Sequence, residues 1–479
     1  MERIDYSGSA LPSEALPFLP IQQNDEEPGQ TSEETWPQTT TSSAELRLLL
    51  TTSCPLICTF LLEHSFTAVT ILSVGHIGKV ELAATSIASL TANITGYAIF
   101  QGLASCLDTL CPAAYGSGNM QLVGLHFQRM VIFLWLICIP IAVAWLNSAA
   151  ILVYFIPQEE VVKKAALYLQ VLVLGIPGYA AFECGKRFMM AQGLFSPTVW
   201  IMVICAPLNC FLNWLFVWKL EWGFIGAPVS VVIVETLLPV LLALYTIRID
   251  GAKCWNGFTK AAFTGWWPMI TLAIPSSCMV VAEYMAFEII TLASGSISLE
   301  HLAAQTILST TTATTFMIHF PISIAAATRI STLIGAGQAD AAKIAAKVSG
   351  CVALAVGISI FVSLASLRNV IPRLLANNTD VIDLASAALP FSGLMQIFDA
   401  LAASSNGMLR GLGKQKIGGW TALVSYYVVG LPISFACAFG LHWDLPGLTL
   451  GVGVGLMLVT VIELSYMRNI RWEGIVERA

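Results

Sequence analysis

Long apolar stretches separated by short polar ones fill residues 48–467. A membrane-spanning helix needs about 20 mostly apolar residues. With that window the pattern predicts twelve spans, near 48–74, 82–106, 126–149, 162–182, 197–217, 223–246, 264–293, 301–325, 344–366, 383–406, 418–440 and 446–467. Prolines lie inside several of these spans, and we expect kinks there, because neighbouring membrane helices can satisfy the backbone groups that proline leaves free.

The second half of this pattern repeats the first. Leu62-Glu63-His64 aligns with Ala282-Glu283-Tyr284 at an offset of 220 residues, and Gly116-Ser117-Gly118-Asn119 aligns with Gly335-Ala336-Gly337-Gln338 at an offset of 219. Further matches fall in the same order. Six spans per repeat give both halves the same orientation. We therefore predict an all-α membrane protein of two pseudo-symmetric six-helix bundles, with a substrate site near the bilayer midplane.

The same pattern divides the chain into five parts. They are a disordered acidic cytosolic tail over 1–46, an N-terminal bundle over 47–246, a cytosolic linker over 247–263, a C-terminal bundle over 264–467 and a cytosolic C-terminal tail over 468–479. The first tail holds nine acidic residues against one arginine, a composition that cannot bury a core.

Composition and charge place the protein in a membrane. The chain is 56% hydrophobic and 11% charged, whereas a soluble domain is about 45–50% apolar and about 25% charged. If the N-terminus is cytosolic, the loops on that side carry fifteen Lys and Arg, with Lys186 and Arg187 among them, against six on the other side. This bias predicts that both termini are cytosolic. We expect a vacuolar or plasma membrane location and no nucleic acid partner.

Several motifs resemble one transporter family. They are Gly75–Ala83, Leu107–Asn119, Gln128-Arg129, Ala282–Glu288, Ala326–Ile330, Leu409–Gly418 and Tyr426–Pro432. Together they are similar to multidrug and toxic compound extrusion (MATE) transporters, and most similar to eukaryotic, fungal members. The resemblance implies a proton-coupled antiporter that exports cationic or amphiphilic organic compounds. Pro112-Ala113, Thr332 and Glu63 depart from the family's usual residues.

Four acids within the predicted spans are the candidate proton and substrate sites: Glu283, Glu288, Asp399 and Glu63. A charged side chain at bilayer depth costs about 2.5–3.5 kcal/mol on insertion scales, which makes it a functional candidate. Burial disfavours the ionised carboxylate and a nearby organic cation favours it, so proton and cation compete for one group. The alternative for each is a structural acid bonded to a neighbouring helix. The resemblance implies the first three, whereas Glu63 is chosen as the repeat mate of Glu283.

Other polar and aromatic residues are candidates for the lining of a substrate cavity. They are Tyr284, Gln305, Thr311, Asn93, Asn209, Tyr426 and Tyr427. Tyrosine rings can stack on an organic cation, although rings in membrane spans mostly pack against neighbours. Threonine hydroxyls can line a wet cavity or bond back to the helix backbone.

The alternatives concern the coupling ion and the substrate. Carboxylate, threonine and asparagine oxygens also suit sodium, so a sodium-coupled exporter stays open beside the proton-coupled one. A lipid or glycolipid flippase of the same superfamily fold would need a long basic groove, for which the spans offer few cations. The histidines and cysteines are scattered, so we expect no metal site, no cofactor and no enzyme activity. We expect a monomer that handles a small organic cation.

Overall fold

The computed structural model describes residues 40–154, 156, 158–376 and 378–477, and nearly all of them are helical. The first half contains α1 Ser42–Gly75, α2 Lys79–Ala92, α3 Ala98–Ala104, α4 Leu107–Gly116, α5 Met120–Leu146, α6 Ser148–Leu152, α7 Glu159–Leu172, α8 Ile176–Ala191, α9 Ser196–Asn213 and α10 Gly226–Arg248. The second half contains α11 Trp267–Gly295, α12 Leu299–Gly335, α13 Ala339–Ser366, α14 Ile371–Leu375, α15 Thr379–Gly411, α16 Gln415–Leu423, α17 Leu431–Phe435, α18 Asp444–Asn469 and α19 Glu473–Val476.

Ten helices in the described part of the chain are each long and apolar enough to cross a membrane. The pair α7 and α8, bent by 54° at its break, would make an eleventh. The span predicted near 82–106 falls in Lys79–Gly116, which is divided between α2, a π-helical turn at Asn93–Tyr97, α3 and α4. The all-helical membrane fold is therefore confirmed, whereas the count of twelve spans stays a prediction.

The end of one helix differs from the sequence prediction, with consequences for charge. Helix α8 continues to Ala191, well past the predicted end at 182, so Lys186 and Arg187 lie inside it and are each 2% exposed. Their assignment to a cytosolic loop was wrong. The span was predicted from apolar residues alone, and such a window ends where a helix continues through buried, ion-paired side chains. Arg129 and Arg410 are also buried in helices. Without these four buried residues, the count of Lys and Arg is eleven against six, and the bias keeps its sign.

The predicted acidic tail falls mostly on residues 1–39, which lie outside the described residues. Helix α1 begins at Ser42, where the Thr41 hydroxyl accepts a hydrogen bond from the Ala44 backbone N–H and caps it. At the other end of the chain, α19 packs Ile475, together with Trp472 just before it, into a cluster of buried side chains.

The linker between the halves is held against the first bundle. The Gln128 side chain of α5 donates to the Gly257 carbonyl at 2.8 Å and accepts from the Thr259 backbone N–H at 3.2 Å. Arg129 donates to the Ala261 carbonyl at 3.4 Å. The Gln128-Arg129 motif therefore fixes the chain that leads into the second bundle.

The two bundles meet at the end of the molecule where α1 begins, which we call the N-terminal face. There Gly116 of α4 packs on the Thr332 carbonyl of α12, and Gly335 of α12 packs on the Ala113 carbonyl of α4. These four residues are two pairs of repeat mates at the offset of 219, so the contact is reciprocal. A Cβ on either glycine would overlap the facing carbonyl oxygen. Ala113 and Thr332 are also positions where the sequence departs from the MATE pattern.

Other contacts tie the bundles together on the same side. Arg329 of α12 makes a bidentate ion pair with Glu45 of α1, with Nε–Oε2 at 3.0 Å and Nη2–Oε1 at 2.6 Å. Gly102 of α3 packs on Ser277 of α11. Phe60 and Phe320 meet edge to face with ring centroids 5.7 Å apart.

Candidate functional site

A cavity of about 340 Å³ lies between the bundles, on the side of these contacts away from the N-terminal face. It is lined by side chains of α1, α2, α3, α7, α8 and α10 from the first half and of α11, α12 and α15 from the second. Phe60 and Phe316 are among the side chains that line it. A volume of this size suits a small organic molecule.

Helix α11 presents one broad face to the cavity. Its lining residues are Glu283, Tyr284, Phe287, Glu288 and Thr291. At about 100° per residue, Glu283 and Glu288 stand about 140° apart, and the other three fall between them on the helix surface. The two acids therefore sit at opposite edges of one face. A regular helix can therefore present both acids to one cavity. The angle of about 140° between them did not by itself decide whether they share it.

Asp399 reaches the cavity from α15 and is surrounded by polar groups. It is 2% exposed, and its Oδ2 accepts from the Gln396 amide at 3.2 Å. Nε2 of His319, on α12, lies 3.3 Å from the same oxygen. The Gln396 carbonyl oxygen in turn accepts from Thr315 at 2.8 Å. Asp399 and Glu283 are close enough for their carboxyl groups to interact electrostatically.

Glu63 lines the cavity from α1 and is paired with a cation. Lys186 Nζ donates to Glu63 Oε2 at 3.0 Å and lies 2.5 Å from Glu183 Oε1. Arg187 Nη1 lies 2.5 Å from the other oxygen of Glu183. Charges of alternating sign thus lead from the cavity into the interior of the first bundle.

The same series of charges reaches the second bundle. Arg187 Nε lies 3.2 Å from Asp108 Oδ1, and Arg410 Nη1 lies 3.9 Å from Asp108 Oδ2. Arg410 belongs to α15 and also donates to Ser323 at 3.1 Å. Three acids and three bases alternate along the way, so the buried group is electrically neutral as a whole. Buried charges in such an arrangement are tolerable because each has partners.

A further acid lines the cavity from α10. Glu235 is 5% exposed and accepts a hydrogen bond from the Tyr97 hydroxyl at 2.7 Å. Tyr97 packs edge to face against Tyr179, with ring centroids 4.6 Å apart. Tyr168 and Asn93 line the same side of the cavity. The first bundle therefore contributes a carboxylate among tyrosine rings.

The other predicted lining residues divide into two groups. Tyr284 and Asn93 line the cavity. The rest lie elsewhere among the described residues: Gln305 donates to Ser309, Thr311 to the Ile307 carbonyl and Tyr427 to the Ala282 carbonyl, while Asn209 accepts from Asn213 and Tyr426 is buried.

Sequence reasoning did not select Glu235, Glu463 or His319. Glu235 and Glu463 are acids inside predicted spans, so the rule that selected Glu283 applies to them equally. Glu463 is fully buried and accepts from Ser405 at 2.6 Å. His319 also lies inside a predicted span, so the same rule applies to it, but the sequence does not show its neighbour Asp399, which comes from another helix.

The halves also match one protein family separately. A family model described as MatE matches residues 55–215 and again residues 275–436. The chain belongs to the MATE family. It is an integral membrane transporter, and the two matches correspond to its two bundles.

Known MATE proteins agree in sequence and in fold. An uncharacterized transporter of Schizosaccharomyces pombe is 39% identical over 91% of this chain and 81% of its own length. The multidrug and toxin extrusion protein 1 of Homo sapiens is 30% identical over 91% of this chain and 76% of its own length. The crystal structure of the eukaryotic MATE transporter AtDTX14 matches with a TM-score of 0.87 at 28% identity, over 91% of this chain and 98% of that one.

Proposed function

We propose that this MATE transporter exports small organic cations in exchange for protons. One observation carries the proposal: Glu283, Glu288, Asp399 and Glu63 all line one cavity between the bundles. A cation and protons can compete for the carboxylates of Glu283, Glu288 and Asp399, and such competition couples their opposite movements. Relatives named for multidrug and toxin extrusion support the substrate class.

The proposed cycle alternates the occupant of the second bundle's acids. With the N-terminal face open, ionised Glu283, Glu288 or Asp399 binds a cation from the cytosol. The bundles then rock about their contact, and protons from the far side load the acids and release the cation. Both termini are cytosolic in this scheme, in a vacuolar or plasma membrane.

Charge argues against a lipid substrate. Among the described residues, the cavity lining contains no lysine and no arginine, whereas it contains five acids. A phosphate headgroup would meet only like charge there. The residues that line the cavity suit sodium as well as protons, so the experiment must distinguish sodium coupling from proton coupling.

The test uses purified protein in vesicles. Under an imposed pH gradient, we expect exchange of radiolabelled tetraethylammonium with no requirement for sodium, and we expect Glu283→Gln and Asp399→Asn to abolish it. Glu160→Gln, an exposed glutamate of the first bundle, is the matched control. Exchange driven only by a sodium gradient would replace the proton in the scheme. Fluorescent lipid scrambling without cation movement would overturn it.

A further inference from the structure

Glu235 is a buried carboxylate without a counterion. Its Oε1 accepts from Tyr97, and its Oε2 has no hydrogen-bond partner among the described residues. No lysine or arginine in the described part of the chain forms an ion pair with it. An ionised carboxylate in such a place is costly in free energy, so the group should either bind a proton or pair with a cation.

Glu63, the sequence-based candidate in the same bundle, differs in this respect. Lys186 already neutralises it at 3.0 Å. A substrate cation at Glu63 would have to share the carboxylate with the lysine and would be repelled by it. Glu235 carries no such competitor, so it is the better anion for a cation in the first bundle.

The rings around Glu235 suit an organic ammonium group. Tyr97 and Tyr179 stand at 70° to each other with centroids 4.6 Å apart, and Tyr168 lines the same side of the cavity. Aromatic rings beside a carboxylate attract ammonium groups through the negative charge of their faces. We propose that Glu235, Tyr97, Tyr168 and Tyr179 form a second organic-cation subsite, carried by the first bundle.

This subsite deepens the proposed function and rests on it for the nature of the substrate. The subsite is built on α7, α8, α10 and the π-helical turn, whereas Glu283, Glu288 and Asp399 are carried by α11 and α15. Each bundle thus offers its own anionic part to one cavity. A cation between them is held from both sides, and the movement of the bundles separates the two parts.

The chain offers three ways to disturb the subsite. Glu235→Gln removes the charge, and Tyr97→Phe removes only the hydroxyl that bonds to it. Gly175→Ala removes no polar group, but a Cβ at Gly175 would overlap Glu235 Oε2 and displace the carboxylate. Glu160→Gln makes the same chemical change as Glu235→Gln on an exposed side chain of the same bundle.

The measurement is binding of radiolabelled tetraethylammonium to purified full-length protein, with folding checked by size-exclusion chromatography. Losing a desolvated ion pair should weaken binding about tenfold or more in Glu235→Gln. Tyr97→Phe and Gly175→Ala should weaken it less, and Glu160→Gln should leave it unchanged. If Glu235→Gln does not fold, Tyr97→Phe and Gly175→Ala decide.

Proton exchange, measured in vesicles, separates the two proposals. Glu235→Gln should keep its proton-to-cation ratio at saturating cation, because the second bundle carries the coupling. Unchanged binding in Glu235→Gln, or in both Tyr97→Phe and Gly175→Ala, overturns the subsite. If the wild type still exchanges protons for the cation in that case, the proposed function stands. Weakened binding without any proton exchange overturns the proposed function alone. A wild type that binds no tetraethylammonium, or a variant that loses only sodium binding, overturns the subsite as an organic-cation site.

Discussion

Arg410 and Asp108 face each other across the contact between the two bundles, with Nη1 3.9 Å from Oδ2. Both side chains are almost fully buried, and Arg187 holds the other oxygen of Asp108 at 3.2 Å. Through Lys186 the same charges lead to Glu63 in the cavity. The contact that closes the N-terminal face is therefore linked, charge by charge, to a side chain that lines the cavity.

Asp108→Asn should open the N-terminal face. The variant leaves Arg187 and Arg410 buried near each other without the anion between them, and removing one partner of a buried ion pair costs about 3–5 kcal/mol. We expect faster hydrogen exchange in α4 and at the end of α12. Asp340→Asn, an exposed acid near the same face, should exchange like the wild type. Equal exchange rates in Asp108→Asn and the wild type would contradict the role of this pair.

Lys186→Met should destabilise the protein, and Glu63→Gln should restore part of the loss. The single change leaves one uncompensated negative charge in a neutral buried group, at a cost of about 3–5 kcal/mol. The double variant is neutral again. Thermal unfolding in detergent should therefore place Glu63→Gln/Lys186→Met above Lys186→Met. A double variant as unstable as the sum of both single changes would mean that the charges do not interact.

Gly116→Ala and Gly335→Ala should have matching effects. Each added methyl group overlaps a carbonyl oxygen of the other bundle, and the two contacts are related by the internal repeat. We expect both variants to favour the state with the N-terminal face open and to slow transport to a similar extent. Gly440→Ala is the control, because a Cβ there meets nothing within 4 Å. A strong effect at one glycine only would show that the contact is not reciprocal in function.

His319→Gln should slow proton-coupled exchange without abolishing it. His319 Nε2 lies 3.3 Å from Asp399 Oδ2, and glutamine keeps a polar group beside that oxygen but removes the imidazole. We expect a rate about tenfold lower, whereas Asp399→Asn should be inactive. His76→Gln, at an exposed histidine, should transport like the wild type. Full activity of His319→Gln would mean that the imidazole only packs against Asp399.

The sequence predicted the acids of the cavity better than their surroundings. Glu283, Glu288 and Asp399 could be selected because a carboxylate inside an apolar span is rare. The pairing of Glu63 with Lys186 could not, since the partners are 123 residues apart and the cation was assigned to a loop. A charge can be buried when side chains of other helices pair with it, and the sequence pattern of a single helix does not show those partners.

Two of the three aromatic candidates, Tyr426 and Tyr427, do not line the cavity, for a different reason. Tyr426 and Tyr427 lie in a π-helical turn over Val424–Gly430, where the side-chain directions depart from those of a regular helix. The sequence pattern places these tyrosines in an apolar span but does not predict the direction of their side chains. Tyr97 and Asn93 lie in another such turn, and that one directs both toward the cavity.

The π-helical turn at Asn93–Tyr97 also fixes the rotation between α2 and the helices that follow it. Before it, α2 carries Ser89 toward the cavity, and after it α4 carries Asp108 and Gly116 toward the other bundle. The turn accommodates one extra residue, so winding the same residues as α-helix would rotate everything beyond it by up to about 100°. The winding of the backbone at this point, with no change of side-chain chemistry, therefore determines whether the cavity and the closing contact can exist together.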